Sequence, residues 1–197
     1  TVKTTYDSME NTFNQTLYGA NNELIWKTEF VYKKGAKTEA NDYDADGNLK
    51  NKTIYKYDNN LLIDETGYDA RGALVWKTIN KYDEAGRISK ECNYLADGAL
   101  DTETIYTYKD DGKIDTITTF DTLEGAKQWV FRYSAAGLLT EITVYNVLES
   151  GNKVCERIII KYDDKDCVSK VSDYNIAEKF GGTVNELVYM AEYTYTF

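Results

Sequence analysis

Asp42, Asp44 and Asp46 alternate along the string Asp42-Tyr43-Asp44-Ala45-Asp46-Gly47-Asn48-Leu49. Carboxylates at that spacing, a glycine for the sharp turn and an inward apolar residue match the first eight positions of an EF-hand calcium loop. The twelfth position is Thr53 where the loop needs a bidentate glutamate, and no helical pattern flanks it. The sibling strings ending at Gly72 and Gly86 keep the turn without the acids, so a turn outweighs calcium here. Trp26, Trp76, Trp129 and Tyr82 are a second candidate set. Exposed, these rings would form a stacking platform for sugars or anchors for a protein partner. Covered, they are core, which is the favoured reading because contiguous exposed aromatic patches are uncommon on soluble monomers. The pairs Asp110-Asp111 and Asp163-Asp164 offer two carboxylates for glycoside hydrolysis, yet fall where turns are expected and mark no pocket. Three cysteines, Cys92, Cys155 and Cys167, are too few for a disulfide scaffold, and the expected hairpin register keeps Cys155 and Cys167 apart.

Wider composition removes whole classes of chemistry. With no histidine among 197 residues, Ser-His-Asp and Cys-His catalysis and imidazole metal ligation are excluded. A net charge of -10 argues against tracking nucleic-acid phosphates and against anionic lipid surfaces. No apolar run reaches the roughly 18 residues of a membrane span. No phosphate-cradling glycine loop and no metal-spaced cysteine set is present, and nothing implies a cofactor.

The elements that must position these residues announce themselves as a repeat. Tyr18, Tyr43, Tyr68, Tyr94, Phe120, Tyr145 and Tyr174 recur every 25 to 29 residues. A second column interleaves with them: Tyr6, Tyr32, Tyr57, Tyr82, Tyr108, Tyr133 and Tyr162. Glycine follows an anchor by four residues at Gly47, Gly72, Gly86, Gly98, Gly112 and Gly137. The groups Tyr43-Asp44-Gly47, Tyr68-Asp69-Gly72 and Tyr82-Asp83-Gly86 therefore read as type I turns with a bulge, Asp bonding backbone amides and Gly supplying positive φ.

Between turns the pattern alternates with period two. Leu74, Trp76, Thr78, Asn80 and Tyr82 share one face, and Val75, Lys77, Ile79 and Lys81 the other. An aliphatic column, Leu62, Ile88, Ile114, Leu139 and Val168, lies six residues before the first-column anchors, and only Lys37 breaks it. Two strands per unit and short connections predict an all-β fold, a long antiparallel meander of about 14 strands. The expectation is an open, twisted or curled sheet, with a partly closed barrel as the alternative. It forms a single domain over residues 1–197, regular over 6–174 and irregular over 175–197. The aromatic face is expected to bury itself as the sheet curls. From about residue 138, apolar residues occupy both faces, so this end is expected to be covered by the 175–197 tail or a partner.

The run Lys81-Tyr82-Asp83-Glu84-Ala85-Gly86-Arg87-Ile88 and the paired tyrosines of Tyr55-Lys56-Tyr57-Asp58 resemble the YD repeats of the RHS family. Less closely, the chain is similar to MORN-like Tyr/Gly hairpin repeats. The first resemblance implies a bacterial, extracytoplasmic all-β protein in a mature form without its signal peptide. The period here is longer than that family's unit and the repeats are too few to enclose a cargo, so the architecture carries over and toxin delivery does not.

The resulting expectation is a non-catalytic scaffold that binds another protein through a sheet face or an edge strand, with dimerisation through the ends as one route. The alternative is a carbohydrate-binding module using Trp26, Trp76 and Tyr82.

Overall fold

The computed structural model describes residues 1–179 and 181–195. Fifteen strands and no helix occupy them, and the order of strands in the sheet is their order in the chain. Two compact units divide the chain, Thr1–Thr102 and Glu103–Phe197. The first holds β1 (Val2–Tyr6), β2 (Thr12–Tyr18), β3 (Leu24–Lys33), β4 (Ala36–Asp44), β5 (Leu49–Asp58), β6 (Leu61–Asp69), β7 (Leu74–Tyr82) and β8 (Ile88–Tyr94). After β9 (Leu100–Tyr108), the second holds β10 (Ile114–Asp121), β11 (Gly125–Tyr133), β12 (Leu139–Val147), β13 (Lys153–Tyr162), β14 (Val168–Lys179) and β15 (Gly182–Glu192). The order begins at β1 and ends at β15, so the antiparallel meander is open and not closed into a barrel.

The hairpin turns follow from their residues. Asp83 donates its amide to the Arg87 carbonyl at 2.9 Å, and the Gly86 amide returns to the Asp83 carbonyl at 3.0 Å. Gly86 has φ 75°. The Asp83 carboxylate accepts the amides of Ala85 and Arg87, and Asp69 and Asp44 repeat this with Arg71 and Ala73 and with Asp46 and Asn48. At three anchors without that glycine the same position still has positive φ: Glu10 at 63°, Asn22 at 61° and Asp166 at 60°. The hairpin geometry, a type I turn closed by a left-handed bulge residue, therefore imposes the conformation on whatever residue stands there. Tyrosine anchors mark the bulge, as where pairing steps from Lys81↔Lys90 to Tyr82↔Ile88, whereas Phe120 pairs with Ala126 in unbroken register.

One face carries an aliphatic stripe set against small residues. Ile54 pairs with Thr66, Ile79 with Asp64 and Cys92, Val130 with Thr143 and Ile159 with Ser172. Thr66, Cys92, Thr143 and Ser172 are buried. Lys56 and Lys77 reach over the stripe to the Asp64 carboxylate, at 3.4 and 3.0 Å. Burial pushes Asp64 up, but the Thr66 hydroxyl and the two lysines outweigh it and hold the group below its usual value.

On the turn row, phenols stitch one repeat to the one before. The Tyr82 hydroxyl donates to the Leu62 carbonyl at 2.8 Å, Tyr133 to Ile114 at 3.0 Å and Tyr162 to Leu139 at 2.8 Å. The acceptors are members of the aliphatic column. Lys37, which breaks that column, sits with its ammonium 4.2 Å from the Tyr55 ring centre, so its stem covers apolar surface while its charge meets the ring.

Two expectations fail. The aromatic face is not buried by a second layer: within each unit the described strands contact only their chain neighbours, and Trp76 remains 37% exposed and Phe120 42%. Tight turns keep each strand beside its predecessor, leaving no segment free to cross a face. For the same reason the C-terminal tail does not cover the apolar end. Through Gly181, at φ 80°, it turns back and pairs as β15 along β14, adding the strand beyond the expected fourteen.

Candidate functional site

Trp26 and Thr28 share a face of β3 by alternation, and antiparallel pairing sets Asp44 beside Trp26 and Asp42 beside Thr28. On β5, Asn51 then pairs with Asp42. The three strands thus build a recess of about 420 Å³ lined by Trp26, Thr28, Asp42, Asp44, Lys50 and Asn51 among others. The Thr28 hydroxyl donates to Asp42 at 2.5 Å. Lys50 approaches Asp44 at 3.4 Å. The backbone amide of Asn48, ahead of its side chain and the Asp46 amide, holds the Asp44 carboxyl below its usual value. A half-buried indole beside a hydroxyl, a carboxylate, an amide and an ammonium can stack on a flat ligand and hydrogen-bond its rim.

The sequence candidates are thereby partly regrouped. Trp26 joins Asp42 and Asp44, which had been read as separate sets. Asp46 contributes only a backbone amide to the turn, and one oxygen of Asp44 is taken up by two amides. Among the described residues no three His, Cys, Asp or Glu side chains are grouped to hold a metal ion. Trp76 stands apart on β7. A Cβ at Gly67 would lie 2.3 Å from its Nε1, so the indole rests against the Gly67 backbone. Tyr82 lies in a different recess, of about 380 Å³, with Asn59, Leu61, Ile63 and Asn80. Trp129 belongs to the second unit, beside Thr119, Asp121, Glu124 and Lys127. Tyr43, Tyr68, Asp69, Asp83, Gly47, Gly72 and Gly86 sit in or beside the turns as expected. Asp111 accepts the Lys113 amide and Asp163 the amides of Lys165 and Cys167, so both carboxylates serve their turns. None of the three cysteines is in a disulfide.

Two features lie outside the sequence candidates. In the second unit, β11 to β15 enclose a larger recess, about 570 Å³, lined by Lys127, Asn146, Cys155, Glu156, Asp173, Asn175 and Val188. Its signal was Glu156, a carboxylate on the otherwise apolar parity of Val154, Ile158 and Ile160. The other is β15, whose eleven residues are almost all exposed, with Leu187 at 53% and Val188 at 66%.

No family model and no curated protein matches the chain. Among solved structures, it is similar to a porin-like protein from Bacteroides uniformis at 11% identity, over 97% of this chain and 88% of that one, with TM-score 0.49. A TcdB2-TccC3-Cdc42 structure matches at 14% identity over 92% of this chain but 12% of that one, TM-score 0.45. A porin-like protein from Bacteroides vulgatus matches at 12% identity over 82% and 94%, TM-score 0.39.

Proposed function

We propose that the chain is a non-catalytic bacterial scaffold, working outside the cytoplasm, that receives a β-strand of a partner protein along β15. One observation carries this reading. Among the described residues β15 pairs with β14 alone, and Val184, Leu187, Val188, Tyr189 and Met190 are exposed along it. Natural sheets blunt their edges with charge, proline, bulges or cover, because unpaired backbone groups invite another strand. Here the edge is long, with five exposed apolar side chains against two charges, Glu186 and Glu192, and one register shift at Val188, and the chain contains no proline. Strand addition would satisfy the open backbone groups while side chains on alternate faces set specificity. The placement outside a bacterial cytoplasm rests on the Tyr-Asp-x-x-Gly resemblance. The absence of catalysis is supported by turn carboxylates that are occupied with backbone amides.

The test is amide hydrogen exchange on the chain alone and with candidate extracytoplasmic proteins. A true partner slows exchange along β15, and Leu187→Lys with Tyr189→Lys abolishes binding while the exposed sites leave stability within about 0.5 kcal/mol. Partners that bind without protecting β15 would refute the strand-addition reading. The Trp26 recess supports a second reading, a glycan-binding platform. Quenching of Trp26 emission by a polysaccharide, lost in Trp26→Ala, would favour it.

A further inference from the structure

The geometry points to the recess of the second unit as a binding site for an organic cation, a guanidinium or primary ammonium group. Consecutive strands bring its polar groups together: Lys127 on β11 pairs with Asn146 on β12, and Glu156 on β13 pairs with Asn175 on β14. Asp173 lies two residues before Asn175 and so shares its face, as alternation along a strand requires. Its Oδ1 is fully buried, and no donor among the described residues reaches it. A buried carboxylate oxygen without a donor is costly, and burying a charge is tolerated when an opposite charge and hydrogen bonds meet it. Lys127 does not fill that role, since no ion pair joins it to Glu156 or Asp173. Burial, and then the charge of Asp173, push the Glu156 carboxyl above its usual value, against the smaller opposing effect of the Lys127 charge. Val188 gives the recess an apolar wall. A planar guanidinium has five donors for two carboxylates and the Asn146 and Asn175 amides, and an alkyl stem to lay on Val188.

Such a group could arrive on a free small amine or on a basic side chain of a polypeptide. Calorimetric titration of the intact chain with agmatine tests the first source, and with the peptide Ac-Gly-Arg-Gly-NH2 the second. N-butylurea, which is uncharged, is the control. The expected result is saturable binding of at least one cationic probe, weaker in high salt, with no binding of N-butylurea. Asp173→Asn should weaken it about tenfold, the scale of one lost charge-assisted hydrogen bond. Lys127→Gln should tighten it several-fold, because it removes a like charge from the same recess. If Asp173→Asn fails to fold by circular dichroism, Glu156→Gln carries the same expectation. Absence of binding by both cationic probes, equal binding of N-butylurea, or weakening by Lys127→Gln would overturn the proposal.

Discussion

The left-handed position of each hairpin can be tested by moving its cost in both directions. Gly86 has φ 75° and open space where a Cβ would stand, so Gly86→Ala adds backbone strain and no clash. An L-residue held in this region costs about 1–2 kcal/mol. Alanine stiffens the unfolded chain and returns about 0.4–1 kcal/mol. The net is a destabilisation of roughly 1 kcal/mol, which at a urea m-value of about 2 kcal/mol/M lowers the midpoint by roughly 0.5 M. Asp166 occupies the equivalent position of the β13–β14 hairpin at φ 60°. Asp166→Gly runs the same argument backwards and should stabilise by about 0.5 kcal/mol, less than the alanine loss because aspartate tolerates the region better than most residues. Asp166→Ala removes the same charge but keeps the strain, and should bring no such gain. Urea titration followed by circular dichroism reads all three. An unshifted midpoint in Gly86→Ala, or equal gains in Asp166→Ala and Asp166→Gly, would refute the reasoning, the second by assigning the effect to charge.

Tyr82→Phe, Tyr133→Phe and Tyr162→Phe each delete one phenol-to-carbonyl bond and should each cost about 1 kcal/mol in urea unfolding, whereas an exposed tyrosine such as Tyr6 changed to Phe should cost almost nothing. Val144→Ala, at a side chain 2% exposed, should cost about 2 kcal/mol by the same measurement, against under about 0.5 kcal/mol for Val75→Ala on the surface. Asp44, Asp69 and Asp83 are held below the ordinary carboxylate value chiefly by backbone amides of Asn48, Ala73 and Arg87. Their stabilisation is therefore fully present above the unfolded value of about 3.9 and is lost as pH falls through the lower folded values. Urea midpoints should fall between pH 5 and pH 2, and less steeply in Asp83→Asn.

How much of this fold could be read in advance depends on what period a feature obeys. Turns are local, so Tyr82, Asp83 and Gly86 declare them within five residues, and a recurrence near twenty-five residues then implies neighbours in a meander. The phenol bonds were equally regular, at Tyr82 to Leu62 and Tyr133 to Ile114, but they connect residues about twenty apart and need the register before they mean anything. At Glu10 and Asp166 the left-handed position was hidden because no glycine stands there to announce it. Parity could say which residues share a face. It could not say whether a second layer covers that face, and the expected burial of the tryptophans failed there.

The candidate sites were hidden for a related reason. Trp26, Asp42 and Asn51 are separated by sixteen and nine residues, and they meet only because Thr28 pairs with Asp42 and Asp42 with Asn51. A one-residue slip in either ladder would send a member to the opposite face. The edge is harder still. Leu187-Val188-Tyr189-Met190 has the composition of an interior strand, and β13, with Ile158-Ile159-Ile160, shows that such a strand can be flanked on both sides. What separates the two strands is the number of neighbours each possesses, a property of the sheet's order and of no residue within it. An apolar segment whose sequence asks for two neighbours and whose place provides one is under pressure to acquire the other. That mismatch, more than any side chain on β15, is what argues for a partner strand.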